Sequence, residues 1–231
     1  MLIVLMPFFI GLKGIKIIDY FSLIFAFCVL PPCFILPSED AFIFSEPVFP
    51  WKALCLFVFT VIFYLLILQK RIQLSYYTLI SFAFCFSLLF FDSLIMKAIS
   101  ILVQNNSDGG NTEIVKPQNA VQWLFIILNF LFASAYEEVI YRAYFPDALI
   151  SLLKRIHKVQ ENKVLRIILV ILAEIIALLA FSFAHFYLGV LSVINAAFAH
   201  IILRLFYRRR QDIIAVWAAH FFYNIISLIL L

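Results

Sequence analysis

Apolar residues run along this chain in long blocks separated by short polar stretches. A helix that crosses a membrane needs about 20 mostly apolar residues. Seven blocks come close to that length, near 15–36, 52–69, 74–97, 120–150, 165–186, 188–206 and 213–231. The pattern predicts an all-α, polytopic transmembrane helical bundle of about seven spans. A short or re-entrant segment over 1–12 would make eight. Block 120–150 is too long for one straight span, so one end of it is expected to lie along the interface. Met1 to Ile10 is apolar without a basic n-region, and the apolar pattern then resumes repeatedly. That reads as an integral membrane protein, not a signal peptide ahead of a soluble domain.

Composition agrees with the pattern. Apolar residues make up 66% of the chain and charged residues 13%, against about 45–50% and about 25% in soluble domains. Too few charges are present to cover a water-facing surface. A soluble enzyme, a disordered tail and a nucleic-acid-binding module are excluded. Lys and Arg instead fix orientation, because basic loops face the cytoplasm. Basic loops hold Lys13 and Lys16, Lys70 and Arg71, Lys154 to Arg166, and Arg208 to Arg210. They alternate with loops carrying Glu39, Asp40 and Glu46, or the polar run 104–112. The N-terminus is therefore expected in the cytoplasm. The short loops of a compact chain suggest a prokaryotic cytoplasmic membrane.

The Asp108-Gly109-Gly110 loop divides N-terminal transmembrane helices, 1–103, from a second part, 117–231. Cys28, Cys33, Cys55 and Cys85 sit in apolar stretches without a Cys-x-x-Cys pair and read as buried thiols. The loop 154–166 alternates basic and apolar residues, as a headgroup anchor would.

Ionisable groups inside a membrane are costly and need a reason. The first part has few, Asp92 and Lys97. The second has many, and the densest run is Ala135-Tyr-Glu-Glu-Val-Ile-Tyr-Arg142. Glu138 and Arg142 are four apart and share a helix face, so they can pair. Glu137 is rotated by about 100° and lacks that partner. It is a candidate general base, unless it shares Arg142 or pairs with another helix. Phe181 and His185 are again four apart, as are His220 and Asn224. Two adjacent donors such as His220 and Asn224 can hold an oxyanion. They can equally bridge helices. Glu174, His200 and Arg204 read as structural, with Glu174 pairing with Arg204 or Arg166.

Glu137-Glu138-x-x-x-Arg142, then Phe181-x-x-x-His185, then His220-x-x-x-Asn224 resembles the CPBP family of CAAX proteases and bacteriocin-processing (Abi) proteins. The resemblance covers about 120–231 and includes the type II CAAX prenyl endopeptidases. It implies an intramembrane glutamic endopeptidase in which Glu137 activates the attacking water, assisted by His185. His220 and Asn224 would stabilise the oxyanion, with Glu138, Arg142 and Phe181 in support. No cofactor is implied, and a Glu/His/His zinc site is the lesser reading, since no His-Glu-x-x-His is present. The implied partners are the lipid bilayer and a membrane-presented peptide or protein terminus, and no nucleic acid. A non-catalytic immunity or scaffold protein of the same fold and a proton-coupled transporter are the alternatives.

One departure from the family pattern stands out. Many relatives carry a Gly-containing helix and a Thr-Gly turn before the third motif, whereas this chain has Arg208-Arg-Arg-Gln-Asp212. The last helix is then free to enter at another angle. Depth is a further expectation. At about 1.5 Å per residue, Glu137 and His220 come near mid-membrane and His185 near the outer end of its span.

Overall fold

The computed structural model describes residues 49–104, apart from 69, 71 and 73, together with 116–154 and 161–230. The predicted span 15–36, Cys28, Cys33 and residues 105–112 and 155–160 of the loops lie outside the described residues.

Every element is helical among the described residues. Helix α1 (Trp51–Ile62) ends in a π turn, Phe63–Ile67, and α2 covers Tyr76–Gln104. Helix α3 (Ala120–Glu138) passes through a second π turn, Val139–Tyr144, into α4 (Phe145–Lys154). Helix α5 (Lys163–Phe183), a 3₁₀ turn over Phe186–Leu188, α6 (Val190–Arg210) and α7 (Ile213–Leu230) complete the order.

Five stretches among the described residues are long and apolar enough to cross a membrane: Tyr76–Leu102, Ala120–Ser151, Lys163–Phe183, Val190–Arg210 and Ile213–Leu230. They correspond to the last five expected spans. The expected span 52–69 is a shorter apolar helix, Trp51–Leu66. At about 1.5 Å per residue it falls short of a hydrocarbon core of about 30 Å. The chain is an integral membrane protein, and its exposed isoleucines, such as Ile167, Ile168 and Ile171 on α5, are the lipid-facing surface that the composition requires.

Local chemistry explains the helix ends. Asn119 and Gln122 form a reciprocal capping box at the start of α3. Asn162 accepts from the Leu165 N–H to start α5, and Asp212 accepts from the Ala215 N–H to start α7. Gly189 joins the 3₁₀ turn to α6 with φ of 94°, a conformation that only glycine adopts cheaply. Small residues draw the helices together: Ala173, Ala177 and Ala180 on α5, Ala196 and Ala199 on α6, and Ala215 and Ala219 on α7 are buried.

Block 120–150 is helical from end to end, through the π turn. The chain stays helical because its hydrogen bonds widen without stopping. The Phe145 N–H reaches back five residues to the Ile140 carbonyl. Pro146 has no N–H to offer the Arg142 carbonyl four residues back. The Arg204 guanidinium of α6 donates to that carbonyl instead. The two π turns meet in the core, where the Phe63 and Tyr144 rings pack edge to face at 5.0 Å.

Helix α1 packs on α3, α2 on α6 and α7, and α5 on α4 and α6. Phe63, Cys85 and Leu89 share one buried core with Tyr141, Phe181 and Leu203. Cys85 is a buried thiol as expected, but Cys55 is exposed, on the outward face of α1. An apolar surrounding in a membrane protein is as well supplied by lipid as by a core.

Candidate active site

Glu137 and Glu138 close α3 where the π turn begins. Their environments are opposite. Glu138 is fully buried, and its Oε1 accepts from His220 Nδ1 at 2.7 Å and lies 3.3 Å from Arg142 Nη2. A carboxylate only accepts, so Nδ1 carries the proton. The other ring nitrogen, Nε2, then faces Glu137, whose Oε2 is 3.7 Å away. That separation is too long for a direct hydrogen bond. The Glu137 side chain is 24% exposed and that of Glu138 0%. One carboxylate is locked into the framework and its neighbour is left reachable.

Phe181 organises the other side. The Arg142 guanidinium carbon lies 4.0 Å from the centre of its ring, a cation–π contact away from water. The His185, His200 and His220 rings surround it at 4.8, 5.5 and 6.2 Å. His185 follows the last turn of α5, and its Nδ1 is 2.9 Å from the Phe181 carbonyl. That carbonyl can only accept, so the proton sits on Nδ1 and Nε2 keeps a lone pair. Glu137 and His220 both lie within electrostatic reach of His185.

Glu137, Glu138, Arg142, Phe181, His185 and His220 therefore form one cluster at the meeting of α3, the π turn, α5 and α7. Asn224 stands apart. It is half-buried one turn beyond His220 and makes no hydrogen bond among the described residues. Its neighbour Tyr223 instead donates to Asn195 at 2.6 Å. His200, assigned from the sequence to structural use, is buried against Phe181. Its spacing to Arg204 shows only a shared face of α6, so no sequence signal placed it here. Among the described residues no three His, Cys, Asp or Glu side chains converge as metal ligands do.

Residues 119–226 match the family model for type II CAAX prenyl endopeptidase Rce1-like proteins. This part of the chain is similar to the CAAX protease family. Neither the curated proteins nor the solved structures gave a match. The matched stretch opens at the Asn119 cap and takes in the whole cluster.

The packing of this matched core also answers the depth expectation. Glu174 of α5 pairs with Arg204 and, at 3.5 Å, with Arg208 near the end of α6. Eleven residues of α5, 163–173, precede Glu174, while six residues of α6 follow Arg204. These lengths are about 16 Å and about 9 Å. Helix α5 thus overhangs α6 at the basic end, and the overhang draws Phe181 and His185 down to the level of His220. The altered turn before α7 delivers His220 to the cluster as well. Gln211 takes the left-handed conformation there, with φ of 56°, the shape for which a glycine is the usual residue.

Proposed function

We propose that this chain is an intramembrane glutamic endopeptidase. It hydrolyses a peptide bond in a membrane-presented peptide or protein terminus, either a CAAX-type tail or a maturing peptide. The observation that carries this reading is the reachable Glu137 carboxylate 3.7 Å from His220 Nε2, with the buried Glu138 fixing that imidazole from behind.

In the proposed reaction Glu137 takes a proton from water. The His185 Nε2 lone pair accepts the second water hydrogen and orients the oxygen. That oxygen attacks the scissile carbonyl carbon, and the carbonyl oxygen becomes an oxyanion. His220 Nε2 donates to the oxyanion as the doubly protonated ring, and the Asn224 amide joins it by a side-chain rotation. The C–N bond then breaks and Glu137 returns the proton to the leaving amine. No acyl-enzyme forms and no cofactor is required.

The test compares new protein termini by mass spectrometry in cells lacking the endogenous gene and carrying wild type or Glu137→Gln. Termini found only with wild type are expected and would identify the substrate. Identical termini from two equally abundant, folded proteins, in cells where the candidate peptides are made, would remove the proposal.

A further inference from the structure

A second polar site lies at the basic end, away from Glu137. The loop between α1 and α2 meets the turn between α6 and α7 around a cavity of about 520 Å³. That is ligand-sized. Its walls are rich in donors. The Lys70 ammonium bonds the Tyr207 hydroxyl at 2.7 Å and the Gln211 side-chain oxygen at 2.9 Å. An ammonium has three donors, so one is unspent. The Arg210 guanidinium lies over the Tyr77 ring at 5.4 Å and has no acidic partner among the described residues. The hydroxyls of Tyr64, Tyr77 and Ser81 also line the cavity without a hydrogen bond among those residues. Asp212 is the one carboxylate in the lining, and its Oδ1 already accepts from the Ala215 N–H.

We propose that this cavity binds a phosphate group, held between Lys70 and Arg210. Three observations beyond the donor set support it. Gln211, the non-glycine residue in left-handed backbone, is part of the wall, and strained backbone gathers at functional sites. Burial pushes the Lys70 ammonium below its ordinary value, Asp147 opposes this and Arg204 adds to it; a bound anion would oppose that shift. Position is the third. The exposed Tyr76 and Tyr77 rings and the run Arg208 to Arg210 mark this end as the membrane–water interface. Phospholipid phosphates lie at that level, so a lipid headgroup is one source of the group and dissolved phosphate is the other. The proposal does not depend on the peptidase reading.

The test has two arms, each on the full chain as wild type, Arg210→Gln and Lys70→Gln. In the first, protein is released for native mass spectrometry from nanodiscs of equal dioleoyl-phosphatidylglycerol and dioleoyl-phosphatidylcholine. In the second, delipidated protein in detergent is melted with and without inorganic phosphate. A lipid site predicts one retained phospholipid, about tenfold less occupied in either variant, and no phosphate effect on melting. A free-phosphate site predicts a rise in wild-type melting temperature with phosphate that Arg210→Gln loses. Arg210 is exposed, so that variant is expected to fold even if Lys70→Gln does not. Equal lipid retention by wild type and Arg210→Gln, together with no phosphate effect, would overturn the proposal.

Discussion

Two buried arginines meet in this bundle, one bonded to the backbone of the other, and they are treated in opposite ways. Arg204 uses all three of its guanidinium nitrogens. Its Nε and Nη2 grip both oxygens of Glu174 at 2.9 Å, Nη2 also reaches Asp147 at 2.8 Å, and Nη1 serves the Arg142 carbonyl. Arg142 is fully buried, yet none of its guanidinium nitrogens makes a hydrogen bond among the described residues. It has the Glu138 oxygen at 3.3 Å and the face of Phe181. The first arrangement puts every guanidinium nitrogen to use in joining helices. The second holds polar capacity in reserve beside Glu137, and such unspent groups in native structures call for a functional explanation. The difference separates framework from candidate active site without reference to sequence similarity.

The largest effect should fall on Glu137→Gln. Peptidase activity is expected to drop at least about 100-fold, read as loss of the substrate termini, with the melting temperature unmoved because Glu137 is partly exposed and its side chain makes no hydrogen bond among the described residues. Unfolding by this variant would break the contrast. Arg204→Gln should behave in reverse. It leaves Glu174 and Asp147 beside each other and costs about 3 kcal/mol, the low end for a broken buried pair, because the Asp147 side chain is 46% exposed. Chemical unfolding in detergent measures it. Replacing Glu138 and Arg142 together, as Glu138→Gln with Arg142→Met, removes an ion pair that is poorly satisfied. Stability should stay within about 1 kcal/mol while activity is lost, since His220 loses its ionised anchor.

The smallest effect concerns the turn. Gln211→Gly relieves left-handed strain of about 1 kcal/mol but gives up the Lys70 bond, of similar size, so the net change should be near zero. In a Lys70→Met background the same substitution should stabilise by about 1 kcal/mol. A double-mutant cycle of unfolding free energies tests it, and equal effects in the two backgrounds would sink the coupling.

Much of this was legible in the chain. Apolar block length located five of the spans, since that signal depends only on bilayer thickness. Four-residue spacing found the Glu138–Arg142 pair, and the Phe181–His185 pair likewise, because both contacts lie within single helical turns. Contacts between helices were not legible. That His220 approaches Glu138, not a neighbour of its own helix, depends on where α7 crosses α3. The level of His185 depends on an overhang that no local pattern encodes. The place of His200 against Phe181 follows from helix packing alone. Asn224, four residues beyond His220, shares its face by spacing but not its contacts.

The π turn at Val139–Tyr144 has a genetic consequence. It lies between Glu138 and the rest of α4, and Arg142 is inside it. Point substitutions there change one side chain and leave the register of both flanks intact. Loss of a single codon there would return the ladder from five-residue to four-residue hydrogen bonds and would also leave α4 in register with α3. Asp147 would stay turned toward Arg204, whereas a loss between Glu138 and Arg142 would shorten the spacing of that pair. The segment should thus tolerate a single-residue deletion better than the regular turns of α3 and α4 do, while its six buried side chains resist polar replacement, a contrast that a saturation library with single-residue deletions would read directly.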